Sequence, residues 1–429
     1  MQRLLRFCMI TTFYPPYNFG GDGVFVQRLS NELARRGHEV EIIHCADTYQ
    51  LSAPPPREPY RDHPGVTVHG LKSPWGRLSP LMTHQTGLPL LKGKRIRRIL
   101  DAGFDVIHYH NISLVGGPGV LALGDAVKLY TMHDYWLVCP THALFRHNKT
   151  PCAGPRGCLG CTLVQRRPPQ VWRYTRMMSN ALRHIDAFIA PSLTSQYKHE
   201  QLGISGRMVH IPNFVSAGDN GSDIIQPERR ANDPPYFLFV GRLERLKGLH
   251  TVIPTFERQN KAELWIAGTG SEESCLRAMT QGNSHIRFLG HLSGRELESL
   301  YRDAVAVIYP STNFQVGIPP AKVSSGQGAP LVIIEAFSQK TPVIARRSGR
   351  TPALLEHTGG GLVYSSEPEL RLTLDRLLAD EAYRDALGLR GHEAYRQTWT
   401  ADAHLDRYVA LIDEIASSRR PVGRASARS

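Results

Sequence analysis

Residues 236–248, YFLFVGRLERLKG, run an apolar stretch into Gly241 and then set two cations, Arg242 and Lys247, beside Gly248. At the carboxyl end of a strand in an open α/β sheet, such a pair suits an anionic ligand, a diphosphate above all; a strand that merely ends in a basic turn has the same pattern. The next apolar run ends in Ala267-Gly268-Thr269-Gly270. Its glycines admit a ligand close to the backbone, and the stretch that follows can open a helix whose amides face an anion. Glu335 stands inside the apolar run 330–337, where a carboxylate needs a partner, and a pair of ribose hydroxyls would supply one. In the first half, Gly20, Gly21 and Gly23 make a loop after the first apolar run, without the G-x-G-x-x-G spacing of a dinucleotide fingerprint. His133, in Tyr-Thr-Met-His-Asp, closes another apolar run. A neutral imidazole at a strand end can hydrogen-bond a ligand and adjust its charge near neutral pH. His108 and His110, in Ile-His-Tyr-His-Asn, carry the same two readings, a functional ring or a satisfied structural one.

A separate group is the cysteines. Cys139, Cys152, Cys158 and Cys161 crowd into one segment, and the closing Cys-x2-Cys spacing suits tetrahedral zinc. The remaining spacing is irregular, which leaves a structural zinc, free or buried thiols, and disulfides or an iron–sulfur cluster all open.

The elements that must hold these residues follow from periodicity. Short β-branched runs recur at 4–11, 39–44, 66–69, 105–110, 126–132 and 187–190, and again at 236–240, 262–267, 286–289, 305–309, 342–345 and 361–364. Separated by amphipathic stretches such as 294–303, they have the rhythm of two parallel sheets wrapped by helices. Residues 24–36 place Phe25, Leu29 and Leu33 on one helical face, with Gly37 where a left-handed cap ends the helix. The polar, turn-rich segment 216–233 is a linker between a first domain, 1–215, and a second, 234–400. Residues 401–418 space Leu405, Tyr408, Leu411, Ile412 and Ile415 as a last helix, and 419–429 lack the apolar content to pack, so a disordered tail is expected.

The 429 residues include 51 Lys and Arg against 38 Asp and Glu, a net charge of +13. Three acid-free stretches carry more than all of it: 79–100 with Lys92, Lys94, Arg95, Arg97 and Arg98, then 135–185 with eight bases, and 419–429 with four arginines. Charge concentrated in this way marks a surface for an anionic partner, or else solvated faces and a tail. The interleaved apolar and basic residues of 88–100 suit an anionic membrane surface. For nucleic acid no reader motif supports the basic stretches, and it is not expected as a partner. No apolar run approaches the ~20 residues that cross a bilayer, and an odd, modest cysteine count fits a reduced compartment. A cytoplasmic protein, peripheral at the inner face of the plasma membrane, is expected.

Taken in order, the GG loop, RGHEV, T-x-HD, IPN, VGRL-x3-KG, AG-x-G, FLG, VIIEAF and TPVIA strongly resemble the retaining glycosyltransferases of the GT-B fold, family four, over residues 5–400. The resemblance implies two Rossmann-like domains facing a cleft, an acceptor site in the first, a sugar-nucleotide site in the second, and a C-terminal helix that crosses back to the first. It implies that Arg242 and Lys247 grip the donor diphosphate, that Glu335 takes the ribose hydroxyls, and that Gly241, Gly268, Gly270 and Leu289 line the nucleotide pocket. Gly20 and Gly21 fall where the first-domain loop meets donor phosphate and acceptor, and His133 matches the histidine near the donor sugar. The implied partners are a nucleoside-diphosphate sugar and a glycan or lipid-diphosphate acceptor. No catalytic metal is implied, and no Asp-x-Asp motif appears; Arg242, Lys247 and backbone amides carry the leaving-group charge.

One departure bears on catalysis. The family pairs its ribose glutamate with a second Glu eight positions earlier, and here that position is Gln327, preceded by an apparent insertion at 312–326. An amide still hydrogen-bonds a donor sugar but brings no charge. Transfer remains the leading reading, since a front-face mechanism needs no carboxylate nucleophile at Gln327. The rival is a silent nucleotide- or glycan-binding subunit of a glycan-assembly complex.

Overall fold

The computed structural model describes residues 3–19, 21–51, 53–56, 59–142, 144–147, 150–152, 154, 157–165, 167–215, 234–257, 261–280, 282–292, 295–311, 330–349 and 351–419. Contacts divide the chain into two units, residues 1–213 together with 404–429, and residues 214–403.

The first unit is built on β1 (Arg6–Ile10), β2 (Glu39–Cys45), β3 (Val66–Leu71), β4 (Val106–Tyr109) and β5 (Val127–Thr131), followed by a small hairpin of β6 (Phe145–Arg146) and β7 (Thr150–Pro151), then β8 (Ala187–Ala190) and β9 (Met208–His210). Seven of these form one parallel sheet in the order β3-β2-β1-β4-β5-β8-β9. Every residue of β4, β5 and β8 is buried, which is why they appear in sequence as short, mostly apolar runs rather than alternating ones, with His108 and Lys128 among the buried polar exceptions. β9 escapes sequence reading because it is three half-buried residues at the sheet edge. The helix Gly21–Arg35 buries Phe25, Leu29 and Leu33, and Gly37 has φ 89°, the left-handed cap expected there.

The second unit has β10 (Tyr236–Val240), β11 (Glu263–Ala267), β12 (Ile286–Gly290), β13 (Ala306–Tyr309), β14 (Val343–Arg346) and β15 (Gly361–Tyr364), all parallel, in the order β12-β11-β10-β13-β14-β15. Its two apolar clusters lie on opposite faces of this sheet, as period-two strands dictate: Phe237, Phe239, Leu264 and Ile266 in one, Tyr236, Leu238 and Trp265 in the other.

The last helix, Ala401–Arg419, buries His404, Leu405, Tyr408, Leu411, Ile412 and Ile415, and from His404 onward it belongs to the first unit. Arg419, expected as the first residue of a disordered tail, is instead helical, pairs with both oxygens of Asp186 at 2.8 and 2.6 Å, and donates to the carbonyl of Ala126 at 2.6 Å. The linker 216–233, the insertion 312–326, Gly294 and residues 420–429 lie outside the described residues.

Two bases counted toward the charged surface turn out to be structural. Lys92 is 3% exposed; its ammonium lies 3.1 Å from Asp47 Oδ2 and donates to Cys45 Sγ at 3.0 Å. Arg173 stacks on Trp136 and Trp172 and donates to the Trp136 carbonyl at 2.8 Å and to Gln170. Burial lowers its pKa to about 10. Lys94, Arg95, Arg97 and Arg98, on the helix Gly93–Leu100, are exposed, while Ile96 and Leu100 hold that helix to the core. Among the described residues no helix is long and apolar enough to cross a membrane.

Candidate active site

Both sheets gather their polar groups at the carboxyl ends of strands, where open α/β sheets bind ligands. In the first unit β1 and β4 are neighbours at the point where the strand order reverses. His110 follows β4 directly, His133 lies two residues beyond β5, and the helix that follows the β1 loop opens at Gly21. Gly20 and Gln327 lie outside the described residues. The loop is tight against its helix: a Cβ on Gly23 would sit 2.3 Å from Asn18 Oδ1 and 2.9 Å from the Phe13 carbonyl.

The histidines of β4 and β5 form one stack. His110 Nδ1 and His133 Nε2 are 2.9 Å apart, their ring centroids 5.2 Å apart, and His108 packs against His110 with centroids 4.0 Å apart and the rings tilted by 38°. Phe25, from the helix Gly21–Arg35, sets its ring edge-on to His133 at 5.4 Å. Burial lowers the pKa of His133 below its ordinary value, with Asp22 and Asp134 pulling the other way, so the neutral ring is favoured. The adjacent Asp134 has its own partner, His142 Nδ1 at 2.7 Å from Oδ2, and its Oδ1 accepts the Trp136 amide at 2.8 Å. Burial alone would raise that carboxyl; these contacts outweigh it and lower the pKa. His108 is structural: fully buried, with Nε2 2.8 Å from Thr131 Oγ1 and Nδ1 2.8 Å from the Tyr408 hydroxyl.

In the second unit the loops after β10 and β11 lie backbone to backbone. The amide of Leu243 donates to Thr269 O at 2.9 Å, that of Glu272 to Leu243 O at 2.9 Å, and that of Gly241 to Ala267 O at 3.0 Å. This explains the glycines differently from the sequence reading. A Cβ on Gly268 would sit 2.0 Å from the Gly241 carbonyl, and one on Gly270 2.4 Å from that of Leu243, so both are needed for loops to meet. Gly248, with φ 73°, would likewise press a Cβ to 2.2 Å from the carbonyl of Pro310, just beyond β13. The β10 loop is therefore seated at this sheet's own switch point, between β10 and β13.

That loop carries Arg242 and Lys247. Arg242 is exposed and pairs with Glu244 at 2.6 Å. Burial, then Arg242, depress the pKa of Lys247, and Glu244 acts against them. A half-buried ammonium beside a guanidinium is a place where an anion is favoured. Glu335 lies on the helix Leu331–Ser338, and its Oε2 accepts the hydroxyl of Tyr301 at 2.9 Å. Leu289 is partly buried, on β12 beside the apolar cluster that includes Trp265.

None of the four clustered cysteines is in a disulfide. Cys139 Sγ is 3.3 Å from Thr141 Oγ1, Cys152 donates to Gly154 O at 3.0 Å, and Cys161 Sγ accepts the His147 amide at 3.4 Å. Among the described residues no three His, Cys, Asp or Glu side chains are grouped so as to hold a metal ion.

Sequence reasoning missed Asp22, His142, Tyr301 and Tyr408 as partners of these groups. Asp22 was within reach of it, since an acid beside the glycine loop opens a helix; Tyr301 and Tyr408 had no local signal, being 34 and 300 residues from the groups they bond.

Two Rossmann-like parallel sheets in one chain, each with its polar groups at the switch point, define the GT-B class of transferase. The chain belongs to the glycosyltransferases of group 1: residues 222–394 match the family described as Glycosyl transferases group 1, and residues 19–218 match Glycosyltransferase Family 4. It is 31% identical to an uncharacterized glycosyltransferase of Methanocaldococcus jannaschii, over 89% of this chain and 91% of that one. Among solved structures it resembles sucrose-phosphate synthase from Thermosynechococcus elongatus, with 18% identity over 96% of this chain and 100% of that one and a TM-score of 0.67. It also resembles HepE of Anabaena in complex with UDP, with 16% identity over 96% and 100% and a TM-score of 0.59.

Proposed function

We propose that this glycosyltransferase moves a sugar from a nucleoside-diphosphate donor to a glycan or lipid-linked acceptor with retention at the anomeric carbon, in the synthesis of a surface polysaccharide or glycolipid. The observation that carries the reading is the β10 loop, which seats Lys247 and Arg242 together at the switch point of the second sheet. A leaving diphosphate gains charge as the glycosidic bond breaks, and fixed cations stabilise that state more than the ground state. Glu335, oriented by Tyr301, takes the ribose hydroxyls, and neutral His133 orients a hydroxyl of the donor sugar. The binding of UDP by HepE supports a nucleotide donor. The diphosphate itself accepts the acceptor's proton on the same face from which it leaves, so the amide at Gln327 suffices.

An acceptor at an anionic membrane is supported by the exposed cations Lys94, Arg95, Arg97 and Arg98 with the exposed apolar side chains of Leu81, Leu88, Leu90 and Leu91 just before them. The test is nucleotide release over UDP-, GDP- and ADP-sugars, with and without lipid vesicles. Release with one donor, abolished by both Lys247→Ala and Glu335→Ala, is the expected result. Nucleotide binding without release from any donor, in the presence of vesicle-borne acceptors, would favour the silent subunit instead.

A further inference from the structure

The stack behind His133 has one nitrogen that the transfer reading leaves unused. His110 is 1% exposed, its Nδ1 faces His133 Nε2 at 2.9 Å, and its Nε2 is buried without a hydrogen-bond partner among the described residues. We infer that His110 is a positioning residue that fixes the tautomer of His133, donating its Nδ1–H to His133 Nε2 so that the proton of the neutral His133 ring sits on Nδ1.

Only one hydrogen fits between the two nitrogens, so one ring donates and the other accepts. Were His133 the donor, neutral His110 would carry its proton on Nε2, and a buried N–H would be orphaned. Orphaned buried N–H groups are rarer and costlier than an unmatched acceptor lone pair. The opposite arrangement leaves only a bare lone pair unmatched. Burial keeps His110 neutral, with His108, His133 and His404 acting in the same direction, so an imidazolium does not offer a way round the choice. The packing holds the geometry: His110 lies between His108 and His133, and Phe25 borders His133 and His404. The consequence is a defined donor, His133 Nδ1–H, for a sugar hydroxyl or ring oxygen; this part rests on the reading of His133 as a sugar-site residue.

The tautomer is read directly by 15N NMR of the full-length protein labelled at histidine, with His133 assigned through His133→Gln. The expected signature is a protonated Nδ1 and an unprotonated Nε2 on His133. His110→Phe should turn this into a tautomer mixture, and His110→Asn, whose amide nitrogen can stand in for Nδ1–H, should restore it. In donor turnover His110→Phe should lower kcat about tenfold or more with KM changed less than threefold, and His110→Asn should recover most of it. A protonated Nε2 on His133 in the unsubstituted protein overturns the inference, whatever the activities. If the tautomer is as stated but His133→Ala turns over normally, the placement of His133 at the sugar is overturned instead.

Discussion

The hydroxyl of Tyr408 lies 2.8 Å from Nδ1 of His108, across 300 residues of sequence. Tyr408 is on the last helix and His108 in the centre of β4, so the end of the chain completes the layer beneath the histidine stack. The rings also stack at 5.3 Å. Tyr408→Phe keeps the ring and removes the hydroxyl, leaving a buried nitrogen unmatched, and should cost about 1–3 kcal/mol in the unfolding of the first unit. Denaturant titration followed by tryptophan fluorescence checks this, and an unfolding midpoint equal to that of the unsubstituted protein would refute it.

The meeting of the β10 and β11 loops can be tested by two glycines of different surroundings. Gly268 has φ 139° and would press a Cβ to 2.0 Å from the Gly241 carbonyl, whereas Gly282 has φ 84° with nothing within 4 Å. Gly282→Ala should cost only about 1–2 kcal/mol for the left-handed backbone. Gly268→Ala should cost more and also weaken nucleotide binding, because the loop bearing Arg242 and Lys247 must shift. Equal melting temperatures for the two variants would rule out the steric account.

Acid should destabilise the fold through histidines buried neutral. Burial lowers His404 to about 4, against the partial support of the Pro212 carbonyl, and burial together with Lys72 lowers His44 to about 3. Unfolded, both titrate near 6.5. Below that value the unfolded chain takes up protons that the fold refuses, so stability is complete above about pH 6.5 and declines as the pH falls toward 4. His404 alone accounts for about 3 kcal/mol across the window. Urea midpoints measured from pH 7.5 to 4.5 should fall accordingly. His404→Asn keeps a donor for Pro212 O, 2.7 Å away, but does not titrate, so it should flatten the slope; an unchanged slope would count against His404.

Membrane attraction through the helix Gly93–Leu100 has a magnitude to match. Each basic residue near an anionic surface contributes about 1 kcal/mol, so the double substitution Arg95→Gln with Arg98→Gln should weaken binding to phosphatidylserine vesicles by roughly thirtyfold at low salt. Raising the salt should weaken the unsubstituted protein more than the variant. Lys92→Gln should instead lower stability, since its ammonium is buried against Asp47. Salt-independent vesicle binding would dismiss the electrostatic part.

Nine of the twelve apolar runs expected as strands owe their legibility to burial on both faces, which favours short segments rich in apolar and β-branched residues. Val127–Thr131 and Tyr236–Val240 are recognisable for that reason, and the helix Gly21–Arg35 by its one apolar face and its cap at Gly37; the runs 66–69, 286–289 and 361–364 are mostly half-buried and legible mainly by their neighbours. The residues at the strand ends were legible by type as well: a cation pair after Val240 and an imidazole after Thr131 are chemistry placed at fixed distances along the chain from recognisable elements.

Residue type and local spacing thus carried the class of fold and the family, and put forward the candidate site residues. What each of them touches was beyond that reach. Gly268, chosen for ligand approach, is required by its closeness to Gly241; Lys92 and Arg173 counted as surface charge and are core; Glu335 accepts from Tyr301. The physical reason is that periodicity and propensity act within a few residues of chain, whereas hydrogen bonds, desolvation and close approach depend on which distant segments the sheet order brings side by side. His110 and His133 share a hydrogen bond because β4 and β5 are adjacent strands, a fact of tertiary structure alone.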